Sequence, residues 1–144
     1  MGQDPRAVFQ QLAMQKDLVE SNLQVLQQQI ERIQMLLNDY DSGLSFLKEV
    51  MKREKDEQVL MNVGGNIFIE VKIVNPEKVT RAIGSDISIV QNTQAAHDSI
   101  ESSIKSLRNQ EKKIKEEYQK YLGYQSQLES QLQQIASMLQ RGEA

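Results

Sequence analysis

The residue types that carry chemistry are few in this chain, and their spacing gives them little to work with. His97 is the only histidine, and there is no cysteine. A nitrogen or sulfur metal site therefore has no second ligand, and disulfides and thiolate nucleophiles are excluded. His97 reads instead as a partly buried or cap-proximal helix residue. The carboxylate pairs Asp39–Asp41 and Glu116–Glu117 stand in strongly helical surroundings where nothing converges them. Two helices side by side offer no concave pocket for acid/base work, so these pairs read as solvated faces. Gly64-Gly65 lacks the Gly-x-x-x-x-Gly-Lys-Ser/Thr pattern that cradles phosphates. No catalytic, cofactor-binding or metal-ligating residue is assigned, no cofactor is expected, and neither is enzymatic activity.

Charge and composition narrow the field further. Net charge is −3, with acids and bases interleaved even in the briefly basic stretch KSLRNQEKKIKEE. No basic stripe exists to neutralise a phosphate backbone, so nucleic acid is not an expected partner. No apolar run approaches the roughly 20 residues that span a bilayer. The opening MGQDPRAVFQ has no apolar core of a signal peptide, and Arg6 stands where an N-myristoylation motif needs Ser or Thr. A soluble cytoplasmic protein with no membrane partner is expected. Aromatics make up only 5% of residues and Trp is absent, while charged residues reach 26%. Such a composition suits long solvent-exposed helices better than a compact core.

Two stretches carry the helical signal. Asp4 can cap a helix whose first position takes Pro5 without loss, since the proline N–H would be unpaired there anyway. From Phe9 to Met51, thirteen positions at alternating 3-4 spacing include twelve apolar residues, with Lys16 the exception. Composition alone predicts about five, so the stripe is a coiled-coil seam. From Ile100 to Leu139 the same spacing holds at ten of twelve positions, Glu111 and Gln125 excepted. Asn92 or Thr93 is the expected N-cap of this second helix, and Gly142 its stop. Both seams run about 40 residues, roughly 60 Å. Matching lengths imply that the helices fold back on one another, with position 51 near 99 and position 9 near 141.

Between them the period falls to 2. Val59, Met61 and Val63 alternate with polar neighbours; after Gly64-Gly65, Ile67, Ile69, Val71 and Ile73 alternate with Phe68, Glu70 and Lys72. Gly-Gly between alternating runs marks a hairpin turn. Asn75-Pro76-Glu77-Lys78 is a second turn, and Val79, Ile83, Ile87 and Ile89 form another pair of strands about Gly84-Ser85-Asp86. Phe46 and Val50, outside the seam, are placed to cover part of this sheet. Isolated hairpins are marginal in water, and their edges invite pairing. The apolar face is left over after the helices have used their seams on each other, so other chains are expected to cover it.

This arrangement resembles the α-class subunit of prefoldin, most tellingly in VLMNVGGNIFIEVKIVNPEKVTRAIGSDISIVQN, residues 59–92, with Gly64, Gly65, Phe68 and Gly84 the most specific positions. Asn62 stands where proline is common in that family. The resemblance implies a mainly α fold with a small β part. A long antiparallel helical hairpin, a two-stranded coiled coil, would be joined by two β-hairpins that form part of an oligomeric β-barrel. It implies one domain over 1–144, with helices at 5–56 and 92–141 and the assembly hairpins at 57–91. It further implies a hetero-hexamer of two α-class and four β-class chains. Their helix tips would hold unfolded client proteins without ATP and pass them to a group II chaperonin. Val8, Phe9, Leu12, Met14, Leu132, Ile135, Met138 and Leu139 would then meet clients. Assembly would use Val59, Met61, Val63, Ile67, Phe68, Ile69, Val71, Ile73, Val79, Ile83, Ile87 and Ile89. The alternative is a structural coiled-coil or filament-forming scaffold without client transfer.

Overall fold

The computed structural model describes residues 2–142; residues 1, 143 and 144, which the expected 1–144 unit includes, lie outside the described residues. In chain order the elements are α1 (Pro5–Met51), β1 (Gln58–Gly64), β2 (Ile67–Lys72), β3 (Lys78–Gly84), β4 (Ile87–Asn92) and α2 (Thr93–Gln140). The fold is two long helices with two antiparallel β-hairpins between them in sequence. Two compact units are distinguished: a helical unit, up to Met35 and from Asn109 onward, and a hairpin unit, Leu36–Arg108.

The helix ends follow from their caps. Asp4 Oδ1 accepts the Arg6 N–H at 3.1 Å, and its carbonyl takes the Val8 N–H, so Pro5 opens α1. At the start of α2 the N-cap is Asn92, whose Oδ1 accepts from the N–H groups of Gln94 at 2.9 Å and Ala95 at 3.3 Å. Thr93 is buried instead, its hydroxyl donating to the Pro76 carbonyl at 2.7 Å. Gly142 adopts φ 71° just past the end of α2, where a residue with a side chain is strained.

In the helical unit the seam residues Leu23, Leu26, Ile30 and Ile33 are all buried. Each such side chain contributes about 1.5–3 kcal/mol by leaving water. The helices run antiparallel here. Lys16 Nζ lies 3.8 Å from a Glu129 carboxylate oxygen and 3.5 Å from Glu20, and Gln125 Nε2 donates to Glu20 Oε1 at 3.4 Å. Lys16 and Gln125, two of the three polar interruptions of the seams, thus fall at one level and share Glu20 as a partner. This pairing marks the register. Residue 16 meets 129 and residue 20 meets 125, so Phe9 comes level with residues near 136 rather than with 141 as equal seam lengths implied.

In the hairpin unit, Leu37, Leu47 and Val50 of α1 are buried, as are Ala96 and Ile104 of α2. Arg108 and Asp41 pair across at 3.7 Å. α1 stops at Met51, short of residue 56, because the chain turns over Glu49–Arg53 and then takes a left-handed φ of 64° at Asp56.

The hairpins repeat one another at a 20-residue offset. Gln58 pairs with Lys72 as Lys78 pairs with Asn92, and each first strand carries an irregularity before its glycine, at Asn62/Gly64 and Ala82/Gly84. Because Gly64 pairs with Ile67, the first turn is Gly65-Asn66, one residue beyond the expected Gly-Gly. Both of its residues are left-handed, at φ 59° and 61°. Gly64 serves the bulge at φ 109°, and Asn62 Oδ1 accepts its N–H at 2.9 Å. The second turn is Ser85-Asp86, with only Asp86 left-handed. Asn and Asp tolerate that conformation better than other residues with side chains. Between the hairpins, the Asn75 carbonyl accepts from Lys78 and its side chain from Glu77, the expected turn.

Candidate functional site

Each hairpin is a two-stranded sheet of its own. One face of the first carries Val59, Met61, Ile69 and Val71, paired directly as 59 with 71 and 61 with 69. Toward the helices this face is half-covered: Val59, Met61, Val71 and, just past β2, Ile73 are intermediate in exposure, as is Val79 of the second hairpin. Toward the turns it is open. Val63, Ile67 and Ile69 of the first hairpin and Ile83, Ile87 and Ile89 of the second are all exposed. Val50 is buried, whereas Phe46 stays 48% exposed and lines the grooves between α1 and both hairpins.

Phe68 lies on the other face. Its partner is Asn62, and the neighbouring pair on that face is Leu60 with Glu70. Leu60 is 67% exposed and Phe68 56%, so the first hairpin is apolar on both sides. At the matching positions the second hairpin carries Thr80 and Ser88. Leu60, together with the exposed Val74 and Val90, escaped the sequence reading because a single alternating phase was assigned to each strand. The signal was present in Leu60 and Phe68 themselves, two large apolar residues in the phase taken to face water.

Where the second hairpin has an arginine in place of a methionine, that side chain is tied down. Arg81 donates to the Gln91 side chain at 3.2 Å and to the Ser99 hydroxyl at 3.0 Å, joining β3 to α2. At the α1–β1 junction Arg53 pairs with Glu57 at 3.1 Å and Glu49 at 3.5 Å. The Glu57 carboxylate also accepts the Glu54 N–H at 2.9 Å. That backbone bond first, and Arg53 second, hold its pKa below the ordinary value of 4.5.

His97 sits against two carboxylates, with Nδ1 3.0 Å from Asp98 and 3.8 Å from Glu101. Hydrogen bonds from His97, and then from Gln94, hold the Asp98 pKa below its ordinary 3.8. These three donors lie within 4.8 Å of one another, but all come from neighbouring turns of one helix, and both carboxylates are exposed. The arrangement is a hydrogen-bonded cluster on a helix face; these side chains do not enclose a cation.

At the helix ends, Val8, Phe9, Leu12, Leu132, Ile135 and Leu139 are half-buried. Met14 and Met138 are open, at 68% and 42% exposure. Val8, which lies outside the seam frame, is thus partly covered along with the seam residues.

Charge falls away along α2. Ten of the twenty residues from 101 to 120 are charged, against Glu129 alone from 121 to 140. No helix among the described residues is long and apolar enough to cross a membrane.

Paired long helices joined through hairpins with open apolar faces define a subunit built to assemble with others. Comparison with known proteins agrees. The prefoldin subunit family model matches residues 19–137. Prefoldin subunit alpha of Archaeoglobus fulgidus is 27% identical over 124 residues, covering 86% of this chain and 80% of its own. That of Methanoculleus marisnigri is 26% identical over 137 residues, covering 95% and 86%. A solved structure, the filamentous PFD from Methanocaldococcus jannaschii, shares the fold at a TM-score of 0.54. It is 22% identical and covers 89% of this chain and 96% of that one.

The chain belongs to the prefoldin family, and its likeness is to the alpha class. That is a family of non-enzymatic chaperone subunits that oligomerise with other prefoldin subunits.

Proposed function

We propose that this chain is one subunit of an ATP-independent holdase that binds non-native proteins at its helix ends and releases them to a group II chaperonin in the cytoplasm. The chain itself carries no enzymatic step. The hairpins join a β-barrel body shared with β-class subunits, in a hetero-hexamer of two α and four β chains. The single domain divides its labour accordingly, with the hairpins for assembly and the helix ends for clients.

The observation that carries the reading is the pairing of exposed Met14 and Met138 with a nearly uncharged final stretch of α2. Methionine is flexible and polarisable and packs against unlike partners, as a holdase surface requires.

The test mixes the chain with a β-class partner and follows light scattering by a denatured enzyme, without nucleotide. Removing residues 1–14 is expected to abolish suppression of aggregation while leaving the mass of the assembly unchanged. Unchanged suppression would remove the helix ends from the mechanism. Long homopolymers of this chain alone, with no suppression, would favour the filament-forming scaffold.

A further inference from the structure

The second hairpin carries a cation on the face that the first keeps apolar. Arg81 pairs with Ile89 across its strands, where the first hairpin has Met61 opposite Ile69. Around it the face is open and apolar, with Ile83, Ile87 and Ile89 all exposed. On the helix side Arg81 borders an apolar groove formed by Gly43, Phe46, Leu47, Ala96 and Ile100. One guanidinium nitrogen, Nη1, is held by two neutral acceptors, Gln91 at 3.2 Å and Ser99 at 3.0 Å. The charge itself has no counterpart. The other two arginines of the hairpin unit, Arg53 and Arg108, each meet a carboxylate, whereas Arg81 meets none among the described residues.

This combination specifies what covers the face. Covering Ile89 takes its cross-strand partner out of water, and a charge removed from water without a partner is costly. With Nη1 engaged, the Nε–H and the two Nη2 N–H groups are left to fork onto a carboxylate. A second copy laid on this face does not supply one. Glu70 is the one acid on the four strands, and it shares the opposite face with Leu60 and Phe68. The matching face of another copy brings apolar residues or a second Arg81, and no acid.

Resting on the hetero-hexamer reading, we propose that Arg81 is the residue by which the second hairpin selects its neighbour. It receives a carboxylate from a strand of the β-class chain that covers this face. The first hairpin, with Met61 at the matching position, takes an apolar neighbour instead. The two hairpins of one chain are thereby addressed to different surfaces, since an unpaired buried charge rejects the wrong one.

The test assembles the full chain with a β-class partner and reads complex formation by native mass and sedimentation over a dilution series. Arg81→Met gives the second hairpin the residue of the first. It is expected to weaken assembly by about thirtyfold or more, because the partner's acid is left buried and unpaired. Arg81→Glu is expected to weaken it further. Replacing the strand acids of the β-class chain by lysine, one at a time, is expected to restore the Arg81→Glu assembly at a single position. Ser99→Ala removes a tether without touching the charge, and assembly is expected to stay within about threefold of wild type. Should Arg81→Glu lose helix content by circular dichroism, the comparison of Arg81→Met with Ser99→Ala decides.

Arg81 variants that assemble like the wild type would overturn the proposal. So would an equal loss in Ser99→Ala, or a loss that no lysine replacement restores, since Arg81 would then act only within its own chain. Self-association that Arg81→Glu abolishes and an added Asp86→Arg restores would make a second copy the occupant, against the proposal. The two readings fail differently. A wild-type chain that does not assemble with the β-class partner defeats the hetero-hexamer reading and this contact with it, whereas assembly untouched by the Arg81 substitutions defeats only the contact.

Discussion

At the scale of single residues, the junctions between helix and strand depend on a few polar groups with assigned partners. The Asn92 cap accepts two N–H groups that begin α2. Asn92→Ala is therefore expected to cost about 1 kcal/mol. In a chain of this length that lowers the thermal midpoint by about 2–4 °C, measurable by circular dichroism. Glu57 gives a pH signature. Its carboxylate is held below 4.5 in the folded chain by the Glu54 N–H and Arg53, so the folded state prefers it ionised. The stability it contributes is present above the unfolded value and is lost as pH falls through the folded one. Thermal midpoints of the chain and of Glu57→Gln are thus expected to converge as pH drops from 7 toward about 3. A constant gap across that range would show that the carboxylate's charge does not matter.

At the scale of elements, the helices were legible in the sequence and the sheet faces only partly so. The buried set Leu23, Leu26, Ile30 and Ile33 is the 3-4 stripe itself, because a seam repeating every 3.5 residues leaves a pattern no other element produces. Cross-helix register was not legible. A stripe of similar leucines and isoleucines is indifferent to sliding, and the register shows only where polar side chains meet, here Lys16 and Gln125 at Glu20. The turn moved by one residue because Gly64 is used in a bulge, which a run of two glycines does not announce. The second apolar face of the first hairpin was half legible: Phe68 was expected to serve assembly through the family resemblance, but strict alternation assigns every strand one wet side and so passes over Leu60 beside it.

Exposed hairpin residues give this scale its prediction. Ile69→Lys with Ile89→Lys, both at 37% exposure or more in the lone chain, is expected to leave helix content intact and to convert the assembly to single chains in sedimentation. An assembly of unaltered mass would place the interface elsewhere.

At the scale of the whole molecule, the candidate sites divide by what the chain can cover for itself. The helices bury their stripes against one another. The hairpins do not bury theirs: Val63, Ile67, Ile69, Ile83, Ile87 and Ile89 stay open, and each two-stranded sheet leaves both edges free. Such sheets are at the limit of independent stability in water, and flat apolar edges recruit further strands. Membership of an oligomerising family follows naturally from that shortfall, while the helix ends, with the last stretch of α2 nearly uncharged and Met14 and Met138 exposed, are left for other work. The measurement that tests this most directly is the native mass of the chain in dilute solution, alone and with β-class partners. An assembly of several chains that persists on dilution is the expected result; a stable, fully folded monomer would contradict it.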